Sequence, residues 1–187
     1  MMIRFAAGFG LLLGLAAPAA AATYAVDYGK STVGFSGTHA GEVFTGKFGA
    51  WQAEIVFDPA DLGASHLAVS FDTGSAATGD ALRDGTLPQP DWFDVKDFPS
   101  ASFTSSKIAA GEGGGYVATG TLTIRGQSRE VSLPFTLTDF AKPPVTAKAS
   151  LHLDRLAFGM GAQSDPKAEW VGRQIDVTVE VVASPTH

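Results

Sequence analysis

The stretch Ile175-Asp176-Val177-Thr178-Val179-Glu180-Val181 alternates apolar and polar side chains along its whole length. Because successive side chains of a β-strand point to opposite faces, the pattern predicts a strand with one dry face and one wet face. The same alternation recurs in four other runs: 67–71, 121–124, 131–137 and 151–153. The chain is therefore predicted to be all-β, built from half-buried strands.

Turn-forming residues separate these runs, as at Asp58-Pro59, Arg125-Gly126-Gln127 and Lys142-Pro143-Pro144. Glycine permits positive φ and proline fixes φ, so these positions indicate tight turns and loops. About eight or nine strands result, and their short connections favour antiparallel neighbours. A flat sheet would leave its apolar face and its edges open, so the strands close into a barrel or pack as a sandwich. We expect the barrel.

Two positions give the expected barrel its shape. Residues 45–57 are predicted to form one long strand that bends at Gly49, as strands do at barrel corners. Pro134 interrupts an otherwise regular strand and predicts an edge or a bulge near the place where the barrel closes. Such an exposed edge would permit a homodimer.

Residues 78–95 depart from the alternation. The spacing of Leu82, Leu87 and Trp92 predicts a short helix followed by a second turn, with Thr78 or Asp80 as the N-terminal cap. We expect this segment to form a lid over one end of the barrel.

The N-terminus resembles a secretory leader. Arg4 precedes an apolar stretch at 5–17, and small residues follow up to Ala22. The stretch is shorter than the roughly 20 apolar residues of a membrane helix, so export is favoured over a permanent membrane anchor. Residues 1–22 are predicted to be a signal peptide and 23–187 one periplasmic domain; a buried N-terminal helix is the alternative.

Composition and spacing argue against several kinds of site. The formal net charge is −6 with no cluster of Lys and Arg, which disfavours nucleic acid as a partner. The chain has no cysteine, and its four histidines lack metal-binding spacing. Neither a nucleophile elbow nor a dinucleotide-binding glycine motif is present. We therefore expect neither an enzyme nor a metal site.

The lid segment and several flanking motifs resemble the YceI family of periplasmic lipid-binding proteins. The matching landmarks occur in one order along nearly the whole mature chain: Ser31-Thr32-Val33-Gly34-Phe35, Gly46-Lys47-Phe48, Phe57-Asp58-Pro59, Asp80, Arg83-Asp84, Leu87, Asp91-Trp92-Phe93-Asp94-Val95, Phe98-Pro99, Phe103, Gly120, Leu122-Thr123-Ile124-Arg125-Gly126 and Phe158-Gly159-Met160. The resemblance implies a lipocalin-like extended antiparallel barrel that holds a polyisoprenoid or a similar long-chain amphiphile. It also makes a carrier of an isoprenoid, a quinone or a fatty amide the expected function.

A set of aromatic side chains is the candidate lining of the interior, with the alternative that they simply fill a core: Phe35, Phe44, Phe48, Trp51, Trp92, Phe93, Phe98, Phe103, Phe135 and Phe158. Leu82 on the lid is a further candidate. For the ligand's head group the polar candidates are His39, Arg83 and Asp84. Arg83 and Asp84 have a second interpretation, a salt bridge that holds the lid.

Two departures from the family pattern bear on the ligand. Thr86 and Pro88 stand where the family usually has His and Arg on either side of Leu87, which indicates a different head group. Residues 162–172 resemble a branch of the family found beside membrane cytochrome b561 domains, which points to a quinone. The same segment motivates the alternative function, a soluble accessory protein of such an electron carrier with no stored ligand.

Overall fold

The structure is a computed structural model that describes residues 21–138 and 140–186. Most of the predicted signal peptide therefore lies outside the described residues. The described part is almost entirely β-structure, with one short α-helix. The elements are β1 Ala22–Val26, β2 Thr32–His39, β3 Glu42–Phe48, β4 Trp51–Phe57, β5 His66–Asp72, β6 Ala76–Ala77, α1 Ala81–Thr86, β7 Ser100–Ala110, β8 Tyr116–Ile124, β9 Gln127–Thr138, β10 Val145–Asp154 and β11 Gln174–Pro185.

The strands form a closed antiparallel barrel. β1 and β2 lie end to end, because both pair with β11 on one side while β1 pairs with β4 and β2 with β3 on the other. In the same way β4 pairs with β5, and β3 pairs with β6. With each end-to-end pair taken as one strand, the barrel has eight strands, each beside its neighbour in sequence. The predicted barrel is confirmed, and the sandwich is excluded.

The wall bends where the sequence indicated. β3 ends at Phe48 and β4 begins at Trp51, so Gly49 lies in the break. The predicted role of Pro134 is correct in one respect and wrong in another. The ladder between β9 and β10 ends at Phe135 opposite Ala149, which leaves Pro134 at a locally unpaired edge that needs no N–H. The barrel closes elsewhere, where β11 meets β1 and β2.

The lid begins with α1. The Asp80 carboxylate accepts hydrogen bonds from the N–H groups of Leu82 and Arg83, so Asp80 and not Thr78 caps the helix. Pro88 has no N–H to continue the helical hydrogen bonds, and turns lead from there to β7. Phe93, which belongs to this segment, is buried and packs against Phe48 of β3. The lid thus covers the end of the barrel at which β7 begins.

Candidate functional site: an apolar cavity along the barrel

A cavity of about 250 Å³ runs inside the barrel. Its lining comes from β1 to β5, from β7 to β11 and from the lid. Among the described residues that line it, Arg155 alone carries a charge. An interior of this composition has no affinity for water or ions, and it suits an apolar guest.

Small side chains keep this interior open. Val145, Ala147 and Ala149 occupy successive inward positions of β10, and Ala53 and Ala183 line the cavity from β4 and β11. Protein interiors normally close-pack until few voids exceed one water, which needs about 10–15 Å³ on a comparable measure. The space left above these methyl groups is therefore far larger than an ordinary packing defect.

Aromatic clusters stand at both ends of the cavity. Near the lid, the ring of Phe48 lies 5.5 Å from Phe35, 5.3 Å from Phe71 and 6.0 Å from Phe93, measured between ring centroids. At the opposite end, Phe57 lies 5.0 Å from Tyr116, 6.1 Å from Phe135 and 5.9 Å from Phe140. Tilted and edge-on rings at these distances pack favourably, so both clusters stabilise the barrel ends.

A buried ion pair fixes the loop that follows β10 at the lid end. The guanidinium of Arg155 donates from Nη2 to Asp165 Oδ2 at 2.8 Å and to the Val171 carbonyl at 2.8 Å, and from Nη1 to the Met160 carbonyl at 2.7 Å. Its side chain is only 1% exposed, and its Cζ lies 5.5 Å from the centroid of the Trp92 ring. Because protein acceptors already occupy this guanidinium, we assign Arg155 to holding the loop together.

Hydrogen bonds set the ionisation of the carboxylate in this pair. The bond that the Val171 N–H donates, supported by those from Glu169 and Trp170, holds the pKa of Asp165 below its ordinary value and outweighs the effect of burial. Burial lowers the pKa of Arg155, and the charge of Asp165 opposes that change. The ion pair is thus supported by backbone groups on its acidic side.

A second carboxylate joins the lid to the same loop. Asp91 accepts hydrogen bonds from the N–H of Gln163 at 3.0 Å and from the N–H and hydroxyl of Ser164 at 2.8 and 2.6 Å. Desolvation would raise the pKa of Asp91, but these hydrogen bonds outweigh it and hold the pKa below its usual range. Arg125 also donates to the Gly159 and Pro90 carbonyls. The second half of the lid is therefore firmly attached.

The structure brings most of the predicted site residues to one surface. Those that line the cavity are Phe35, Phe44, Phe48, Trp51, Trp92, Phe93, Phe103, Phe135 and Phe158. The other predicted residues lie outside the lining: His39, Leu82, Arg83, Asp84 and Phe98. Whether any of the fourteen binds a ligand stays a prediction.

The polar candidates lie on the rim of the lid end. Arg83 sits 5.6 Å above the Phe44 ring, and its Nη1 lies 3.7 Å from Asp80 Oδ2. Asp84 accepts hydrogen bonds from the N–H and hydroxyl of Thr78, which lower its pKa. The suggested salt bridge between Arg83 and Asp84 is therefore wrong, because each side chain has a different partner. His39 ends β2 and bridges to the segment that contains Trp170.

Sequence reasoning missed the pair Arg155 and Asp165 and the small lining residues. The signal for Arg155 was a charge between two apolar runs, Leu151-His152-Leu153 and Phe158-Gly159-Met160. For Ala147 and Ala149 the signal was alanine at alternate positions of a strand, where a packed core would carry larger side chains.

Among residues 21–138 and 140–186, no group of three His, Cys, Asp or Glu side chains is arranged to hold a metal ion. Within the same residues, no helix has the length and apolar character to span a membrane.

Solved structures share this architecture. BcnA of Burkholderia cenocepacia superposes with a TM-score of 0.80 at 30% identity, over 86% of this chain and 100% of that one. The YCEI protein of Campylobacter jejuni gives a TM-score of 0.65 at 27% identity, over 76% of this chain and 84% of that one. A polyisoprenoid binding domain from Saccharophagus degradans, at 15% identity and a TM-score of 0.67, shares the fold.

The sequence profile described as the YceI-like domain matches residues 24–183. The chain belongs to the YceI-like family. Among curated relatives of this YceI-like protein, a UPF0312 protein of Photorhabdus laumondii is 33% identical over 138 residues, which is 72% of this chain and 71% of the relative. A UPF0312 protein of Vibrio cholerae is 28% identical over 129 residues, covering 67% and 68%. The predicted family is confirmed.

Proposed function

We propose that this YceI-like protein is a periplasmic binding protein that carries a long apolar ligand, such as a polyisoprenoid, a quinone or a fatty amide, inside the barrel. The observation that carries the proposal is the open apolar cavity lined from nearly every strand. The structural relative from Saccharophagus degradans, described as a polyisoprenoid binding domain, supports the ligand class. The leader-like N-terminus supports export.

The chemistry of the lining favours a chain over a compact ring system. Each buried methylene contributes about 0.8 kcal/mol, so a long tail gains affinity in proportion to the length it buries. The cost of ordering the tail offsets part of that gain. With Arg155 already bonded to protein acceptors, the interior offers few polar groups, and we infer that the buried part of the ligand is hydrocarbon.

One substitution and its neighbour test the proposal. Ala149→Phe places a large ring in the cavity, whereas Ser150→Phe places the same ring on the exposed outer face of the same strand. A fluorescent long-chain fatty acid is titrated into delipidated protein. We expect Ala149→Phe to weaken binding by about tenfold or more and Ser150→Phe to leave it unchanged.

Circular dichroism checks that both variants keep the barrel, because overpacking a core costs about 1–3 kcal/mol. Equal binding by folded Ala149→Phe and the parent protein would place the ligand outside the barrel and contradict the proposal.

The alternative function is that of a soluble accessory protein for a membrane cytochrome b561-type carrier. Its support is Trp170, which is 64% exposed on the segment that motivated this alternative. Under it, delipidated protein binds membranes that contain the cytochrome, and Trp170→Ala abolishes that binding. Retention of lipid by the protein with no binding to such membranes would reject the alternative.

A further inference from the structure

Besides the unpaired edge beside Pro134, the barrel wall is interrupted where β1 and β2 face β4 and β3. The ladder between β1 and β4 ends at Tyr24 opposite Ile55, and the ladder between β2 and β3 begins at Gly34 opposite Lys47. Between them, no register pair joins residues 25–33 to residues 48–54 in the described chain. We call this interruption the lateral gap.

The opposite side of the same bend is closed. The N–H of Gly49 donates to the Ser75 carbonyl at 3.0 Å, and the N–H of Asp72 donates to the Ala50 carbonyl at 3.0 Å. Ser75 also accepts a hydrogen bond from the Ala50 N–H through its hydroxyl oxygen. The bend at Gly49 therefore opens the wall only toward β1 and β2.

The side chain of Tyr28 spans the lateral gap. Its ring meets Trp51 edge-on with 5.0 Å between centroids. Its hydroxyl oxygen accepts a hydrogen bond from the Ala53 N–H at 3.2 Å, which satisfies a donor that the interrupted ladder leaves unpaired. Tyr28 is also 47% exposed. Tyr28 thus bridges the opening from the protein surface.

A groove lies on the outer side of the lateral gap. It has a volume of about 800 Å³, and Tyr28, Lys47, Gln52 and Asp72 contribute to its lining. Three aromatic residues line both this outer groove and the interior cavity: Phe48, Trp51 and Phe71. A single layer of side chains therefore separates a polar surface groove from the apolar interior.

Resting on the proposed function, we propose that the outer groove binds the polar end of the ligand, whose tail enters the cavity through the lateral gap. The ligand is then an amphiphile with one long tail and a head group that bears oxygen. A polar head without partners inside the apolar cavity would cost several kcal/mol of binding free energy, so it stays outside. Within the described chain, Lys47 forms no ion pair and the Tyr28 hydroxyl hydrogen has no acceptor, which leaves both free to donate to the head.

Tryptophan quenching locates the head. Stearic acid with a nitroxide near the carboxylate, at carbon 5, or near the tail end, at carbon 16, is bound to variants that each keep one tryptophan. We expect the carbon-5 label to produce the larger loss of Trp51 fluorescence and to quench Trp51 more than Trp92. The variant that keeps only the exposed Trp170 is the control, with little loss from either label.

The outcomes separate the two proposals. Stronger quenching of Trp92 than of Trp51 by the carbon-5 label, or stronger quenching of Trp51 by the carbon-16 label, overturns the head-group site while the carrier function stands. Quenching of neither Trp51 nor Trp92 by either label means that no chain enters the barrel, and both proposals fail.

Release kinetics test the route. Tyr28→Ala removes the aromatic contact and the hydrogen bond, so we expect uptake and release of the fatty acid to quicken about tenfold. Tyr28→Phe keeps the ring, and we expect it to weaken binding while uptake stays slow. Trp170→Ala is the matched aromatic control and leaves both rates unchanged. Parental rates in a folded Tyr28→Ala variant would show that the ligand enters elsewhere.

Discussion

The two halves of the barrel wall are built differently. β7 to β11 run for 9 to 12 residues each, and β1 to β6 for 2 to 8. We call these the long-strand half and the short-strand half. The long-strand half carries the small inward residues of β10 that keep the cavity open, and the short-strand half carries the lateral gap. The barrel therefore keeps its closed topology although its wall is interrupted at the lateral gap and, in the long-strand half, where the ladder between β9 and β10 ends at Phe135 and Ala149.

The breaks in the short-strand half have local causes. Asp27 accepts a hydrogen bond from the Gly29 N–H, and Asp72 accepts one from the Gly74 N–H. Short polar side chains that bond the backbone two residues ahead form turns that compete with a β-ladder. With Gly49 in the third break, each interruption follows from residues that favour a turn. The shorter strands of this half thus follow from a few turn-forming residues.

Hydrogen exchange should show the largest difference between the halves. We expect unpaired amides at the lateral gap to exchange through openings that cost close to zero, and central amides of β8 to exchange only with global unfolding at about 5–15 kcal/mol. Mass spectrometry or NMR of the delipidated protein measures both. Comparable protection of the lateral-gap amides and the central β8 amides would contradict the proposed difference between the two halves.

Arg155→Ala should give the next largest effect. It leaves Asp165 buried without its cation and removes several hydrogen bonds, and breaking a buried pair in this way costs about 3–5 kcal/mol. Arg173→Ala is the matched control, because the pair of Arg173 with Asp154 is exposed and worth about 0–1 kcal/mol. Urea unfolding measures both, and equal costs would refute the role given to Arg155.

A pair of phenylalanines compares the halves directly. Phe103 of β7 is 6% exposed, whereas Phe48 of β3 is half-buried between the cavity and the outer groove. Phe103→Ala should lower the free energy of unfolding by about 3–5 kcal/mol, and Phe48→Ala by less. If Phe48→Ala costs as much in urea unfolding, then the wall at the gap is packed as tightly as the rest.

The smallest expected effect is the loss of stability that acid causes through Asp165, in the loop that connects β10 to β11. The folded-state pKa of Asp165 is depressed, so its contribution to stability is complete above the unfolded pKa of about 3.9 and is lost as pH falls through the folded pKa. Asp165→Asn should therefore reduce the loss of stability below pH 4. Identical acid profiles for the variant and the parent protein would contradict this.

Much of the fold was accessible from the sequence. Alternation predicted the strands, and their number predicted closure, because both are properties of local pattern. Gly49 marked the bend, since glycine is where a strand tolerates one. The lid was predicted from the changed spacing around Leu82 and Trp92, although the cap proved to be Asp80.

The remaining features depend on contacts between distant segments. Pro134 signalled an unpaired edge, but the position of barrel closure depends on how β11 registers against β1 and β2. The ion pair between Arg155 and Asp165 carries no recognisable spacing. The lateral gap arises from two ladders whose registers do not meet, which no single strand pattern contains.

The most direct test of the central claim is native mass spectrometry of the mature protein purified from a bacterial periplasm. We predict a discrete added mass from one long-chain lipid, lost on delipidation and regained from a membrane lipid extract. A bare protein mass that stays bare after incubation with that extract would contradict the carrier function.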